Sequence, residues 1–112
     1  NGEGLQHEDG HSHLLAATIP NCVAYDPCFA FELAVIIQNG LERMVKNQED
    51  VYFYITVMNE NYTHPDMPKG VQQGIIDGIY LFSESKNKDL SVHLMGSGVI
   101  LREVIEAANI LD

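Results

Sequence analysis

The run Val51-Tyr52-Phe53-Tyr54-Ile55-Thr56-Val57-Met58 is almost unbroken in β-branched, aromatic and long apolar residues. It does not alternate, so it cannot be a strand with one wet face; it fits a central strand of a parallel sheet covered on both faces. Parallel strands need a crossover between them, and the preceding residues supply one. Ile19-Pro20-Asn21-Cys22-Val23-Ala24-Tyr25 reads as a short strand. Asp26-Pro27 reads as a helix start, with Asp26 capping free N–H groups and Pro27 in the first helical position. The helix is predicted over residues 27–46. Its middle, residues 29–37, is apolar nearly all round, which predicts burial on more than one side. Strand, buried helix and buried strand make a right-handed βαβ unit.

Beyond this unit the pattern breaks. Asn59, Asn61, Pro65, Pro68 and Gly70 mark residues 59–70 as a connector. Residues 71–77 read as one or two helical turns, weakened by Gly74 and Gly78. Residues 79–83 and 90–95 read as strands, with a polar turn over 84–89. Gly96-Ser97-Gly98 then opens a helix over 99–111, whose apolar positions 100, 101, 104, 105, 108 and 111 form one stripe. At the other end, residues 1–18 lack periodicity and read as a loop carrying three of the five His. The fold class is α/β: two half-units joined by a Pro-containing connector, neither with enough strands for a complete sheet.

Charge narrows the partners. Six Lys plus Arg against sixteen Asp plus Glu gives −10, which leaves nothing to neutralise a row of phosphates and argues against nucleic acid or an anionic membrane. At 46% hydrophobic and 20% charged, the chain has apolar surface enough to collapse. Cys22 and Cys28 are too few for a disulfide scaffold and read as buried thiols of a reducing, cytoplasmic protein. No signal peptide and no run of about 18 apolar residues is present, so no membrane segment is expected. A small-molecule or protein partner remains.

The densest polar group is Glu3, His7, Glu8, Asp9, His11 and His13. Three readings stand side by side: a zinc or iron site, although the His spacing matches no known ligand pattern; a solvated loop whose glycines supply turns; or an active-site loop that holds and transfers protons. Asn59-Glu60-Asn61-Tyr62 follows the buried strand and should emerge at its carboxyl end, the edge where parallel sheets place ligands. Gly96-x-Gly98 is not a dinucleotide fingerprint, since Leu101 stands where Gly or Ala is needed; a tight turn or an anion at the helix N-terminus are its two readings. His93 reads as a core or edge histidine within a strand, and His64 has no partner that sequence identifies.

At this point the residues acquire a likeness. Asn1-Gly-Glu-Gly-Leu-Gln-His-Glu-Asp-Gly-His-Ser-His13 closely resembles a stretch of the homodimeric bacterial pyruvate dehydrogenases, thiamine-diphosphate-dependent enzymes of the transketolase-like superfamily. The resemblance continues through Thr18-Ile-Pro-Asn-Cys-Val-Ala-Tyr-Asp-Pro27, Gly40-Leu-Glu-Arg-Met44, Tyr54-Ile-Thr56, Asn59-Glu-Asn-Tyr62, Gly96-Ser-Gly98 and Leu101-Arg102.

The resemblance implies a cytoplasmic homodimer within a multienzyme complex. It implies decarboxylation of pyruvate on thiamine diphosphate with magnesium, then reductive acetylation of the lipoyl domain of the acetyltransferase. Residues 1–58 would be the end of the pyrimidine-binding domain, 59–70 the interdomain connector and 71–112 the start of the carboxyl-terminal domain. Glu3 and His7 would be catalytic, positioning substrate and handling protons. Asp9 and His13 match the Glu-Asp-Gly-x-x-His pattern of transketolases and would contact substrate. Asn59 and Glu60 fall where transketolases carry a phosphate-gripping Arg. No Arg or Lys adjoins position 59 in the sequence, which suits an unphosphorylated substrate. The Gly-Asp-Gly motif that holds magnesium and diphosphate does not occur, and the main cofactor ligands are expected outside this chain, the aminopyrimidine-pairing glutamate before Asn1. An internal or truncated piece, inactive by itself, is therefore expected. The alternatives are a transketolase-like enzyme fragment, or a non-enzymatic α/β module whose His loop binds metal.

Overall fold

Two strands, β1 (Cys22–Tyr25) and β2 (Tyr52–Ile55), pair in parallel in the computed structural model, with Cys22 opposite Tyr52 and Tyr25 opposite Ile55. The structure describes residues 10–85, 90 and 92–112. The ladder is prolonged at either end by Tyr52 N–H to Asn21 C=O (3.0 Å) and Thr56 N–H to Tyr25 C=O (3.1 Å). Both strands are shorter than their β-forming runs. Ile19 and Asn21 lie in a turn around Pro20, closed by Cys22 N–H to Ile19 C=O at 3.1 Å. At the other end Pro27 has no N–H to give, so pairing stops one residue past Tyr25.

The crossover is α2 (Ala30–Leu41), continued by a π-helical turn (Glu42–Lys46). It follows α1 (Ser12–Ala16), a short helix where the sequence suggested only loop; Leu14, Leu15 and Ala16 are good helix formers. The far end of α2 agrees with the expected end at 46, but its beginning does not. The helix starts at Ala30 with Phe29 at the cap position, and Asp26 caps nothing there. Glu32 caps it from inside: its Oε2 accepts the backbone N–H groups of Cys28 and Phe29, each at 2.7 Å. At the other end Asn47 N–H reaches Glu42 C=O (2.9 Å), widening the last turn by one residue.

The core lies where α2 meets the sheet and α3 (Gln72–Asp77). Ile36, Val71 and Ile75 are buried, with Tyr25, Phe31, Val35, Phe53, Ile55 and Tyr80 packed around them. The expected burial of α2 on more than one side, and of β2 on both faces, is not observed. Ile37, Leu41 and Tyr52 are exposed, because no described element packs over them.

The chain after α3 also departs from expectation. No strand forms among the described residues of 79–83 or 90–95. Tyr80 and Phe82 instead turn back onto the start of α2, where Phe82 stacks on Phe29 at 5.7 Å. His93, expected in a strand, is exposed in irregular chain. The turn expected over 84–89 lies mostly outside the described residues. The last helix, α4 (Gly98–Leu111), forms as its stripe requires. No helix among the described residues is long and apolar enough to cross a membrane.

Candidate functional site

Because β1 and β2 run parallel and in register, their carboxyl ends deliver Asp26 and Thr56 side by side. Thr56 Oγ1 donates to Asp26 Oδ1 at 2.6 Å. The other carboxylate oxygen accepts from Ser97 Oγ at 3.0 Å, and the Asp26 carbonyl accepts the Gly98 N–H at 2.9 Å. The N-terminus of α4 is therefore clamped onto the end of β1. Gly96-Ser97-Gly98 thus meets a residue of the chain itself: the Ser97 hydroxyl goes to the Asp26 carboxylate and the Gly98 N–H to the Asp26 carbonyl. Gly98 has φ +48°, which favours glycine, and a Cβ there would meet the Asp26 carboxylate and force it to move.

His13, brought in by α1, completes this group. Its Nε2 lies 3.0 Å from Thr56 Oγ1, and its ring meets Tyr54 edge-on at 5.4 Å.

A second group surrounds a cleft of about 230 Å³ lined by residues of the α2 start and of the connector. Tyr62 donates its hydroxyl to the Cys28 carbonyl. His64 Nδ1 accepts the Ala30 N–H at 3.1 Å, so the histidine that sequence left without a partner caps α2 from across the chain. Tyr62 and His64 lie ring against ring at 4.6 Å. Arg102 of α4 sits over Tyr62 at 4.4 Å and pairs with Glu60 at 3.0 Å. Position 59 has no cation near it in sequence, but in space Arg102 is one residue away, with its charge already answered by Glu60.

Beneath the cleft lies the buried carboxylate of Glu32, which also accepts from Tyr80 Oη at 2.8 Å. Burial, with the negative Glu32 beside it, pushes the Cys28 thiol up to about 11, so it stays protonated at neutral pH. Burial and the bond to Glu32 raise Tyr80 well above the ordinary phenol range, and burial near Cys28 raises Tyr62. Cys22 and Cys28 are both free; Cys28 is buried and Cys22 only partly so.

Glu3, His7 and Asp9 lie outside the described residues. His13 joins the Asp26 group and Glu60 the cleft group; no hydrogen bond or ion pair links the two residues. Asn59 is exposed beside Glu60. The sequence assigns no site role to Thr56, Glu32 or Arg102, and to Asp26 only that of a helix cap. The parallel register carried a signal for Asp26 and Thr56, since strands ending together put the two side by side; Arg102 needed the path of α4. No group of three His, Cys, Asp or Glu side chains able to hold a metal forms among the described residues.

Residues 1–65 match the family described as the middle domain of the pyruvate dehydrogenase E1 component. Curated relatives named pyruvate dehydrogenase E1 component align with nearly the whole chain. The one from Pseudomonas aeruginosa is 63% identical over 112 residues, that from Escherichia coli K12 58% over 112, and that from Haemophilus influenzae 56% over 114. Each alignment covers 99% of this chain and 13% of the relative, so the chain spans about an eighth of their length.

Proposed function

The chain belongs to the pyruvate dehydrogenase E1 component family, and from that premise we propose that it serves as the substrate-facing edge of an enzyme that decarboxylates pyruvate on thiamine diphosphate. That enzyme passes the acetyl group to the lipoyl domain of an acetyltransferase, as a cytoplasmic homodimer within a multienzyme complex. The observation that carries this reading is the identity of 54–63% between this chain and relatives of that one name, over at least 99% of its length.

In this reading residues 1–58 end the pyrimidine-binding domain, 59–70 connect, and 71–112 begin the carboxyl-terminal domain. Glu3 and His7 hold and move protons at the substrate. Asp9 and His13 contact it, while Asn59 and Glu60 sit at the carboxyl end of β2, the edge where such sheets bind ligands. Arg102 carries its charge to the same edge but commits it to Glu60 and the Tyr62 face, which suits a small carboxylate better than a sugar phosphate. Thiamine diphosphate supplies the electron sink for decarboxylation when bound. The main ligands of its diphosphate and of magnesium are expected to lie outside this chain.

The test is a chimera in which this chain replaces the matching segment of the Pseudomonas aeruginosa relative. Turnover that depends on pyruvate is the expected result; turnover of sugar phosphates instead would replace this reading with the transketolase-like one. The chain by itself should show no saturable heat with thiamine diphosphate and magnesium in a calorimetric titration. Stoichiometric zinc or iron in the purified chain would favour a metal-binding module instead.

A further inference from the structure

We infer that Asp26 and Thr56 are positioning residues that fix the proton of the neutral His13 ring on Nε2. The inference deepens the reading above, in which His13 contacts substrate, and it starts from one proton. Thr56 Oγ1 has a single hydrogen and, among the described residues, three hydrogen-bonding neighbours: Asp26 Oδ1 at 2.6 Å, Tyr25 C=O at 3.4 Å and His13 Nε2 at 3.0 Å. The first two only accept, and the carboxylate is the nearest and carries charge, so the hydroxyl proton goes to Asp26. Thr56 then shows His13 a lone pair, and Nε2 must be the donor. In the neutral ring Nδ1 is left unprotonated, the nitrogen that accepts a hydrogen bond or a proton.

Further contacts orient this arrangement. The second Asp26 carboxylate oxygen takes the Ser97 hydroxyl, and its backbone carbonyl takes the Gly98 N–H. The edge of the His13 ring against Tyr54 fixes its plane, and Tyr54 is itself held in β2 opposite Ala24. One carboxylate thus sets both the start of α4 and, through Thr56, the tautomer of a histidine at the sheet's carboxyl end. The fold uses backbone register, not a long side chain, to bring the three groups into line.

The measurement is ring-nitrogen NMR of His13 in the chain labelled with nitrogen-15 histidine, above the pH at which its ring is charged. A free neutral histidine already favours Nε2–H, and an excess about tenfold above that ratio is expected, the size of preference that one retained hydrogen bond confers. Thr56→Val, which keeps the shape and removes the lone pair, should return the ratio to that of free histidine, and Thr56→Ser should restore the excess. A predominant Nδ1–H form in the unmodified chain, or a ratio that valine leaves unchanged, would overturn the inference. If valine unfolds the chain, the ratio in the unmodified chain and in Thr56→Ser, set against that of free histidine, decides. The readout needs no substrate, so its failure is distinct from a failure of the pyruvate reading, which the chimera's turnover tests.

Discussion

Tyr80 donates its hydroxyl to the buried carboxylate of Glu32 at 2.8 Å, tying the segment after α3 to the first turn of α2. Glu32 also holds the Cys28 and Phe29 N–H groups, so three donors converge on one carboxylate. A hydrogen bond to a charged acceptor is worth about 1.5–3 kcal/mol, and Tyr80→Phe should lower unfolding free energy by that amount in a urea titration. Glu32→Ala strands all three donors and should cost more, about 3 kcal/mol or above. Equal costs for the two changes would show that the backbone donors are satisfied some other way.

The clamp between Asp26 and α4 gives a second expectation. Gly98→Ala meets two obstacles, a left-handed backbone and the Asp26 carboxylate. A non-glycine residue in that conformation costs about 1–3 kcal/mol, before any collision is counted. In Asp26→Ala the collision is gone while the backbone strain stays, so Gly98→Ala should cost less in that background than in the original chain. Additive costs in the double-mutant cycle would mean that the two residues do not touch.

How much of this was legible beforehand differs between the two halves of the chain. The parallel pairing of β1 with β2 across an apolar helix followed from residues 19–58, because two strand-like runs separated by a long apolar run that opens at Pro27 admit few other arrangements. The α4 stripe was equally plain. The residues of 79–83 and 90–95 misled, because β-propensity reports a side chain's fit to a sheet and does not fix where the segment goes: Tyr80 and Phe82 pack on the start of α2 instead. Asp26-Pro27 misled differently: the local signal for a cap was sound, but Thr56 and Ser97, both remote in sequence, claim that carboxylate. His64 capping α2 is the converse case, a cap supplied by a residue that no local rule considers.

Buried thiol and phenols give the fold a defined alkaline limit. Cys28 ordinarily ionises at 9.0 but at about 11 in the fold, so between these values the unfolded chain has lost the proton that the folded chain keeps. Stability therefore is complete below pH 9 and falls as pH rises toward 11. A tenfold difference in proton affinity between the folded and unfolded chain corresponds to about 1.36 kcal/mol, and with solvent screening the loss from Cys28 should be about 1–2 kcal/mol. Tyr80, raised above 10.0 by burial and Glu32, adds to the same fall at its upper end. Urea midpoints at pH 7, 9 and 10.5 check this, with Cys28→Ala giving the shallower decline. At neutral pH the same protonated, buried thiol should react with iodoacetamide more slowly than the partly exposed Cys22, as peptide mass mapping would show.

The last expectation separates the two faces of α2. Ile36 is 2% exposed and packs with Val71 and Ile75, whereas its neighbour Ile37 is 47% exposed and Leu41 59%. Ile36→Ala removes buried methylenes from a core too small to close over the gap, so it should cost about 2–4 kcal/mol. Ile37→Lys and Leu41→Lys place charge on a face that already meets water, and each should change stability by no more than about 0.5 kcal/mol. Chemical denaturation of the three variants decides. A cost at Ile37 or Leu41 comparable to that at Ile36 would mean that this helix face is covered in the chain as it exists in solution, and that the exposure of those two side chains is not its native condition.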